Sequence, residues 1–207
     1  MERSAEVLAR WPAGFEALNA PERERARSFA RSSDRDDFVA AHLLARECVA
    51  RLLGLAATAV DLLQRCERCG GPHGRPTVVG HPGIGVSWSH TQGYVHAVAD
   101  HRAVGVDLER LDSLPAGPVE PGLLHRFATV SEARAVITAS DPRDAFLKLW
   151  VCKESLVKVA ARNLDDFRSV DLLGVLSDPD GRTTWAGHDV RALVSDGFAV
   201  GFAGAAT

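Results

Sequence analysis

One seven-residue pattern occurs twice in this chain of 207 residues. Ala45-Arg46-Glu47-Cys48-Val49-Ala50-Arg51 is echoed 107 residues later by Cys152-Lys153-Glu154-Ser155-Leu156-Val157-Lys158. Thr91-Gln92-Gly93-Tyr94, ahead of an apolar strand, is echoed 104 residues later by Ser195-Asp196-Gly197-Phe198. Each offset is close to half the chain, and the two echoes come in the same order. Such spacing predicts a duplicated unit: an α+β fold of two similar halves related by pseudo-twofold symmetry. The expected division is an N-terminal half over 1–105 and a C-terminal half over 106–207. A cleft between such halves is a natural place for a ligand.

Hydrophobic spacing fills in the elements. Residues 21–31 open with a proline and carry mixed charge, which predicts a short surface helix. Over 36–54, Phe38, Leu43, Leu44, Cys48 and Leu52 recur at helical spacing and Gly54 follows, which predicts a long helix. Residues 66–85 are dense in Gly and Pro and read as an irregular loop. Runs at 84–89, 93–99 and 103–109 read as strands of one antiparallel meander. Residues 112–122 read as a linker. Helices are expected over 123–127, 131–139 and 143–162, and strands near 169–176, 182–187, 189–194 and 197–203. Each half is thus an antiparallel sheet packed with helices.

Composition excludes several classes. Apolar residues make up 46% and the net charge is −3, so disorder and a whole-chain nucleic-acid surface are not expected. No run is long and apolar enough for a membrane span, and no export signal opens the chain. With only four cysteines, the expectation is a reduced, cytoplasmic protein. Only three of 24 basic residues are lysine, and all three, Lys148, Lys153 and Lys158, fall within eleven residues. Where the background favours arginine, a lysine that persists marks a place where a compact ammonium is needed.

The chemistry-bearing residues follow from these elements. Asp107 and Glu109, two apart on a strand, face the same way and can grip a hard cation such as Mg2+; the plainer alternative is a solvated strand end. Glu154 and Lys158 stand one turn apart on the 143–162 helix, with Trp150 a turn earlier on the same face. An ion pair on a largely apolar helix needs a purpose. Ser89 and His90 close a strand and suit phosphate contacts. A Ser/His nucleophile is the sharper alternative, although neighbours on a strand point to opposite faces and no G-x-S-x-G elbow is present. Arg75, in His-Gly-Arg-Pro, can bind phosphate, with Arg35 and Arg46 adding to a basic pocket. Cys66-x2-Cys69, with His73 and His81 near, is half of a zinc site.

GVDLER (105–110) and WVCKESLVK (150–158), with Glu154 placed 47 residues after Asp107, resemble the two main motifs of the Sfp-type 4′-phosphopantetheinyl transferases. SWSH (87–90), GRP (74–76) and the 21–46 region are similar to further segments of that family. The resemblance spans roughly residues 20–175. It implies a monomer binding coenzyme A between its halves, with Asp107, Glu109 and Glu154 as Mg2+ ligands. It implies phosphate contacts from Arg75, Ser89, His90 and Lys158, and from Arg25, Arg35 and Arg46. Asp107, Glu154 and Lys158 would form the catalytic set. The implied reaction moves the 4′-phosphopantetheine arm to a serine of an apo acyl or peptidyl carrier protein, releasing 3′,5′-ADP, in secondary metabolism. Two other classes are weighed against it: a nonenzymatic zinc-dependent binding module built on Cys66 and Cys69, and a Ser/His hydrolase using Ser89 and His90.

Overall fold

The computed structural model describes residues 1–66, 69–115, 117–159 and 164–206. The chain divides into two compact units, Met1–Val104 and Gly105–Thr207. The α+β class with antiparallel sheets packed against helices is borne out.

The first unit runs β1 (Glu2–Arg3), α1 (Ser4–Ala9), α2 (Ala20–Arg27), α3 (Ser32–Leu53), β2 (Leu62–Gln64), β3 (Pro76–Val78), β4 (Gly85–Thr91) and β5 (Tyr94–Asp100). Its main sheet has the order β1-β5-β4, and β2 and β3 form a separate hairpin. The helix α3 buries Phe38, Val39, Ala41, Leu43, Leu44 and Val49. That side packs on β4 and β5, with Val86 and Val95 facing it from the sheet. Gly54, left-handed at φ 69°, ends the helix as the sequence predicts.

The second unit runs β6 (Val104–Arg110), α4 (Pro121–Phe127), α5 (Val130–Thr138), α6 (Pro142–Lys158), α7 (Leu173–Ser177), β7 (Arg182–Trp185), β8 (His188–Ser195) and β9 (Phe198–Ala205). Its sheet has the order β6-β9-β8-β7. The helix α6 lies across β8 and β9 and buries Phe146, Leu147, Leu149, Val151 and Leu156.

Two expectations are corrected. The strands at 84–89, 93–99 and 103–109 do not make one meander: β6 leaves the β4–β5 hairpin and joins β9. Turn-length gaps show that strands are near in sequence, not that they pair. The strand expected over 169–176 is instead the helix α7, preceded by a 3-10 turn over Leu164–Ser169. A short apolar run reads alike as a strand or a buried helix. The last residues of the helix expected over 143–162 lie outside the described residues.

The internal echoes fall at matching places in the two units. Arg46-Glu47 sits on α3 and Lys153-Glu154 on α6, the long helix of each unit. The other echo forms the two-residue turns of the β4–β5 and β8–β9 hairpins. There Thr91 pairs Tyr94 across Gln92 (φ 41°) and Gly93 (φ 87°), and Ser195 pairs Phe198 across Asp196 (φ 53°) and Gly197 (φ 83°). Two successive positive φ values give a turn whose twist matches the strands it joins. Each turn glycine carbonyl accepts a backbone N–H from the residue that follows the unit's first strand: Ser4 to Gly93 and Leu111 to Gly197.

The repeat extends to buried charge. Arg46, 2% exposed, donates to Glu22 at 2.7 Å and to the His42 carbonyl at 3.1 Å. Lys153, also 2% exposed, donates to Glu132 at 2.7 Å. Glu22 and Glu132 hold the same local position. Each is the third residue of a helix and closes a capping box, with Asn19 for α2 and Thr129 for α5. In each unit, then, a capping carboxylate turns inward and meets a cation from the long helix.

Candidate active site

Gly105 sets how close α6 comes to β6. A Cβ built there would stand 2.0 Å from the Ser155 carbonyl oxygen. Gly201 on β9 plays the same part under Val151, where a Cβ would meet its carbonyl oxygen at 2.2 Å. Any side chain at either place would push the helix off the sheet. Gly105 thus marks the strand face that lies under α6. Side chains alternate along a strand, so Asp107 and Glu109 share that face. Trp150, Glu154 and Lys158, each one turn apart, run along the helix above them.

The contacts follow from these two stripes. The Lys158 ammonium donates to Asp107 Oδ1 at 2.8 Å and to the Val106 carbonyl at 2.9 Å. Asp107 is buried at 6% exposure, and Lys158 keeps partial access to solvent. The Trp150 indole donates to Glu109. Burial raises the Glu109 carboxyl to about 7, and the Asp107 charge pushes the same way. Burial likewise raises Glu154 to about 7, with Asp107 and then Glu109 adding to it. Lys158 opposes both shifts without cancelling them. Three carboxylates therefore compete for less positive charge than they need.

This corner has the character of an oxygen-donor cation site. The donors it offers are carboxylates, and the mutual repulsion of their charges is relieved when a cation arrives. By its oxygen-donor chemistry this set suits a hard cation such as Mg2+. The three lysines of the sequence cluster separate into three roles. Lys158 belongs to this corner, Lys153 is enclosed in the core, and Lys148 pairs with Asp144 one turn away at 3.0 Å on the helix surface.

The remaining candidates lie in the first unit. Arg75 is exposed and stands immediately before β3. Arg25, exposed on α2, stacks its guanidinium over Phe29 at 5.5 Å and lines a small cavity with Phe38, Gln64 and Pro72. Arg35 is exposed and lies 3.4 Å from Asp36, lining a different cavity with Phe15, Arg27 and Phe29. Arg46 is turned inward to Glu22, so the structure gives it a packing role in place of the basic pocket expected for it. Ser89 and His90 sit on β4 opposite His96 and Val95 of β5. As successive strand residues they point to opposite faces, an arrangement that does not build a Ser/His nucleophile. Sequence reading missed the indole bond to Glu109 and the capping boxes. Thr129-x-x-Glu132 and Asn19-x-x-Glu22 were readable signals for the latter.

Residues 103–202 match the family model described as the 4′-phosphopantetheinyl transferase superfamily. A 4′-phosphopantetheinyl transferase of Bacillus subtilis is 24% identical over 151 residues, which is 72% of this chain and 62% of the relative. A second Bacillus subtilis protein, 4′-phosphopantetheinyl transferase ffp, is 24% identical over 169 residues, 81% of this chain and 70% of the relative. The chain thus spans under two thirds of the length of the first of these relatives. The resemblance carried by the motifs is borne out: this chain is similar to the 4′-phosphopantetheinyl transferases. The matched stretch contains Asp107, Glu109, Glu154 and Lys158. Relatives named as transferases do not favour a nonenzymatic module.

Proposed function

We propose that this chain transfers the 4′-phosphopantetheine arm of coenzyme A to a serine of an apo acyl or peptidyl carrier protein. The serine oxygen attacks the β-phosphorus, which bears the pantetheine arm. The bond from that phosphorus to the bridging oxygen breaks, and 3′,5′-ADP leaves. The observation that carries this reading is the convergence of Asp107, Glu109, Glu154 and Lys158 where α6 crosses β6. Phosphoryl transfer needs charge neutralisation and in-line positioning more than covalent catalysis, and these four residues supply charge of both signs.

Asp107, Glu109 and Glu154 would hold Mg2+, which supplies positive charge to the diphosphate oxygens when bound. Lys158, a compact cation with solvent access, steadies the leaving phosphate as its charge develops. Glu154 or a water would take the serine proton. From the resemblance, contacts to the phosphates of coenzyme A are assigned to Arg75, Ser89, His90, Arg25 and Arg35. The proposal includes the two-half division at 105/106 and a monomer acting in the cytoplasm. Cys48, Cys66, Cys69 and Cys152 take part in no disulfide, in keeping with that compartment. No helix among the described residues is long and apolar enough to cross a membrane. The proposal extends to carriers of secondary metabolism, with which an Arg- and Ala-rich composition is associated.

The deciding experiment is intact-protein mass spectrometry of apo carriers incubated with this chain, coenzyme A and Mg2+. A gain of about 340 Da, lost with EDTA, is expected for the transferred arm. No gain on fatty-acid, polyketide and nonribosomal-peptide carriers, together with no binding of coenzyme A, would overturn the reading.

Two further outcomes are expected. Arg75→Ala raises KM for coenzyme A about tenfold with little change in kcat, the signature of lost ground-state binding. An unchanged KM in steady-state assays would return Arg75 to the surface. Mg2+ affinity rises between pH 6 and 8, because Glu109 and Glu154, both raised to about 7, must lose protons to hold a cation. The stability sign agrees. Folding takes up protons at these carboxyls between their ordinary range and pH 7, so their contribution to stability falls as pH rises through that window. Calorimetry in buffers of different ionisation heat would detect the protons released on binding. Affinity independent of pH would count against these ligands.

A further inference from the structure

The loop between β2 and β3 carries a second, chemically different cluster. Gln64 pairs with Pro76 at the base of the hairpin, and residues 65–75 are the sequence that joins its two strands. This stretch, Arg-Cys-Glu-Arg-Cys-Gly-Gly-Pro-His-Gly-Arg, contains no aliphatic side chain but Pro72 and no aromatic core side chain. Backbone bonds curl it: Gly70 N–H to the Cys66 carbonyl at 2.7 Å, Cys66 N–H to Gly71 at 2.8 Å, and His73 N–H to Gly71 at 2.9 Å. The result gathers Cys66 Sγ, Cys69 Sγ and a ring nitrogen of His73 within 4.8 Å of one another. Cys69 Sγ and His73 Nε2 are 3.0 Å apart. The packing is close enough that a Cβ at Gly71 would stand 3.1 Å from the His73 ring and 3.3 Å from Cys69 Sγ.

We propose that Cys66, Cys69 and His73 bind one Zn2+ ion. Two thiolates and an imidazole form a soft-to-borderline donor set, the opposite of the all-oxygen set on β6 and α6, and such a set selects zinc over magnesium. The spacing fits. Zn–S and Zn–N bonds of ordinary length at tetrahedral angles place donor atoms about 3.5–3.8 Å apart; Cys69 Sγ and His73 Nε2 stand at 3.0 Å, and all three donors lie within 4.8 Å of one another. Three protein ligands leave the fourth position to water or to a donor from outside. A loop with Pro72 as its one aliphatic side chain gains little from burial, so a metal is the strongest organiser available to it.

The site has a consequence one residue along. His73 is followed by Gly74-Arg75, and the Gly74 carbonyl accepts from the Gln64 side chain at 2.9 Å. Zinc at His73 therefore fixes the backbone that presents Arg75. This second step rests on the proposed coenzyme A reading: zinc loading lowers KM for coenzyme A several-fold and leaves kcat alone.

The test uses the full chain, reduced and stripped of metal, titrated with Co2+ as a spectroscopic stand-in for zinc. One equivalent is expected to give the visible bands of tetrahedral cobalt and a thiolate charge-transfer band, both displaced by Zn2+. Cys69→Ser removes most of the charge-transfer intensity, and His73→Ala weakens binding at least tenfold. Cys48→Ala, remote from the loop, changes neither. No charge-transfer band on titration, or a band that survives in Cys69→Ser/His73→Ala, overturns the site. A Cys66–Cys69 disulfide persisting in reduced, folded protein would overturn it too. The coenzyme A assay is separate: zinc binding with an unaltered KM overturns only the effect on Arg75. Absence of transfer in every form fails the transferase reading and leaves the cobalt spectrum to decide the metal site.

Discussion

Asp107→Asn is expected to lower kcat/KM for carrier modification at least a thousandfold while the protein stays folded. Three effects of one charge converge on this number. Asp107 is the buried member of the carboxylate group and the partner of Lys158. Removing its charge withdraws a cation ligand, frees Lys158 from its position, and takes away the repulsion that helps raise Glu109 and Glu154 to about 7. A thousandfold loss corresponds to about 4 kcal/mol of transition-state stabilisation, within reach of a lost cation and a misplaced ammonium together. Asparagine keeps the shape, so the melting temperature should move little, and excess Mg2+ should rescue little. The check is single-carrier steady-state kinetics beside a thermal melt. Turnover within a few-fold of the parent would break the cation-site assignment. A collapsed melting temperature with lost activity would move Asp107 from chemistry to folding.

Much of this corner was legible because the relevant periods are short. Asp107 and Glu109 share a face by the two-residue period of a strand, and Trp150, Glu154 and Lys158 by the turn of a helix. Neither period says which strand face meets which helix. That is decided by Gly105, where the lack of a Cβ lets the Ser155 carbonyl approach. The same limit explains the misplaced β6. Its own pattern is strand-like, but its partner β9 lies about ninety residues further on, and local spacing carries no record of a distant neighbour. Arg46 shows a different failure. An arginine looks available for phosphate until its acid is located, and Glu22 stands on another helix. The run at 169–176 reads as a strand and folds as a helix because five apolar residues have too little length to display a period.

The second large effect separates the two lysines of one motif. Lys153→Met is expected to destabilise the protein by about 3–5 kcal/mol, the range for breaking a buried ion pair by removing one partner. Lys153 uses its three donors fully, on Glu132 at 2.7 Å, the Phe127 carbonyl at 2.8 Å and the Phe167 carbonyl at 2.9 Å. Burial pulls its pKa below the ordinary lysine value, with Glu132 pulling the other way. Glu132, wholly buried, also accepts the backbone N–H of Thr129 and of Leu172, each at 2.7 Å. Methionine would fill the space and leave that carboxylate without its cation. At a few degrees per kcal/mol for a chain of this size, the melting temperature should drop by about 10 °C. Arg46→Met should behave alike in the first unit, because Glu22 is left in the same position. Lys148→Met, which removes only a surface pair with Asp144, should shift stability by less than about 1 kcal/mol. Carrier modification by folded Lys153→Met at low temperature should stay within a few-fold of the parent, whereas Lys158→Ala should lose kcat without losing stability. If Lys153→Met melted with the parent yet lost turnover, the buried pair would be part of the chemistry. The symmetry between the two units would then hold for topology alone.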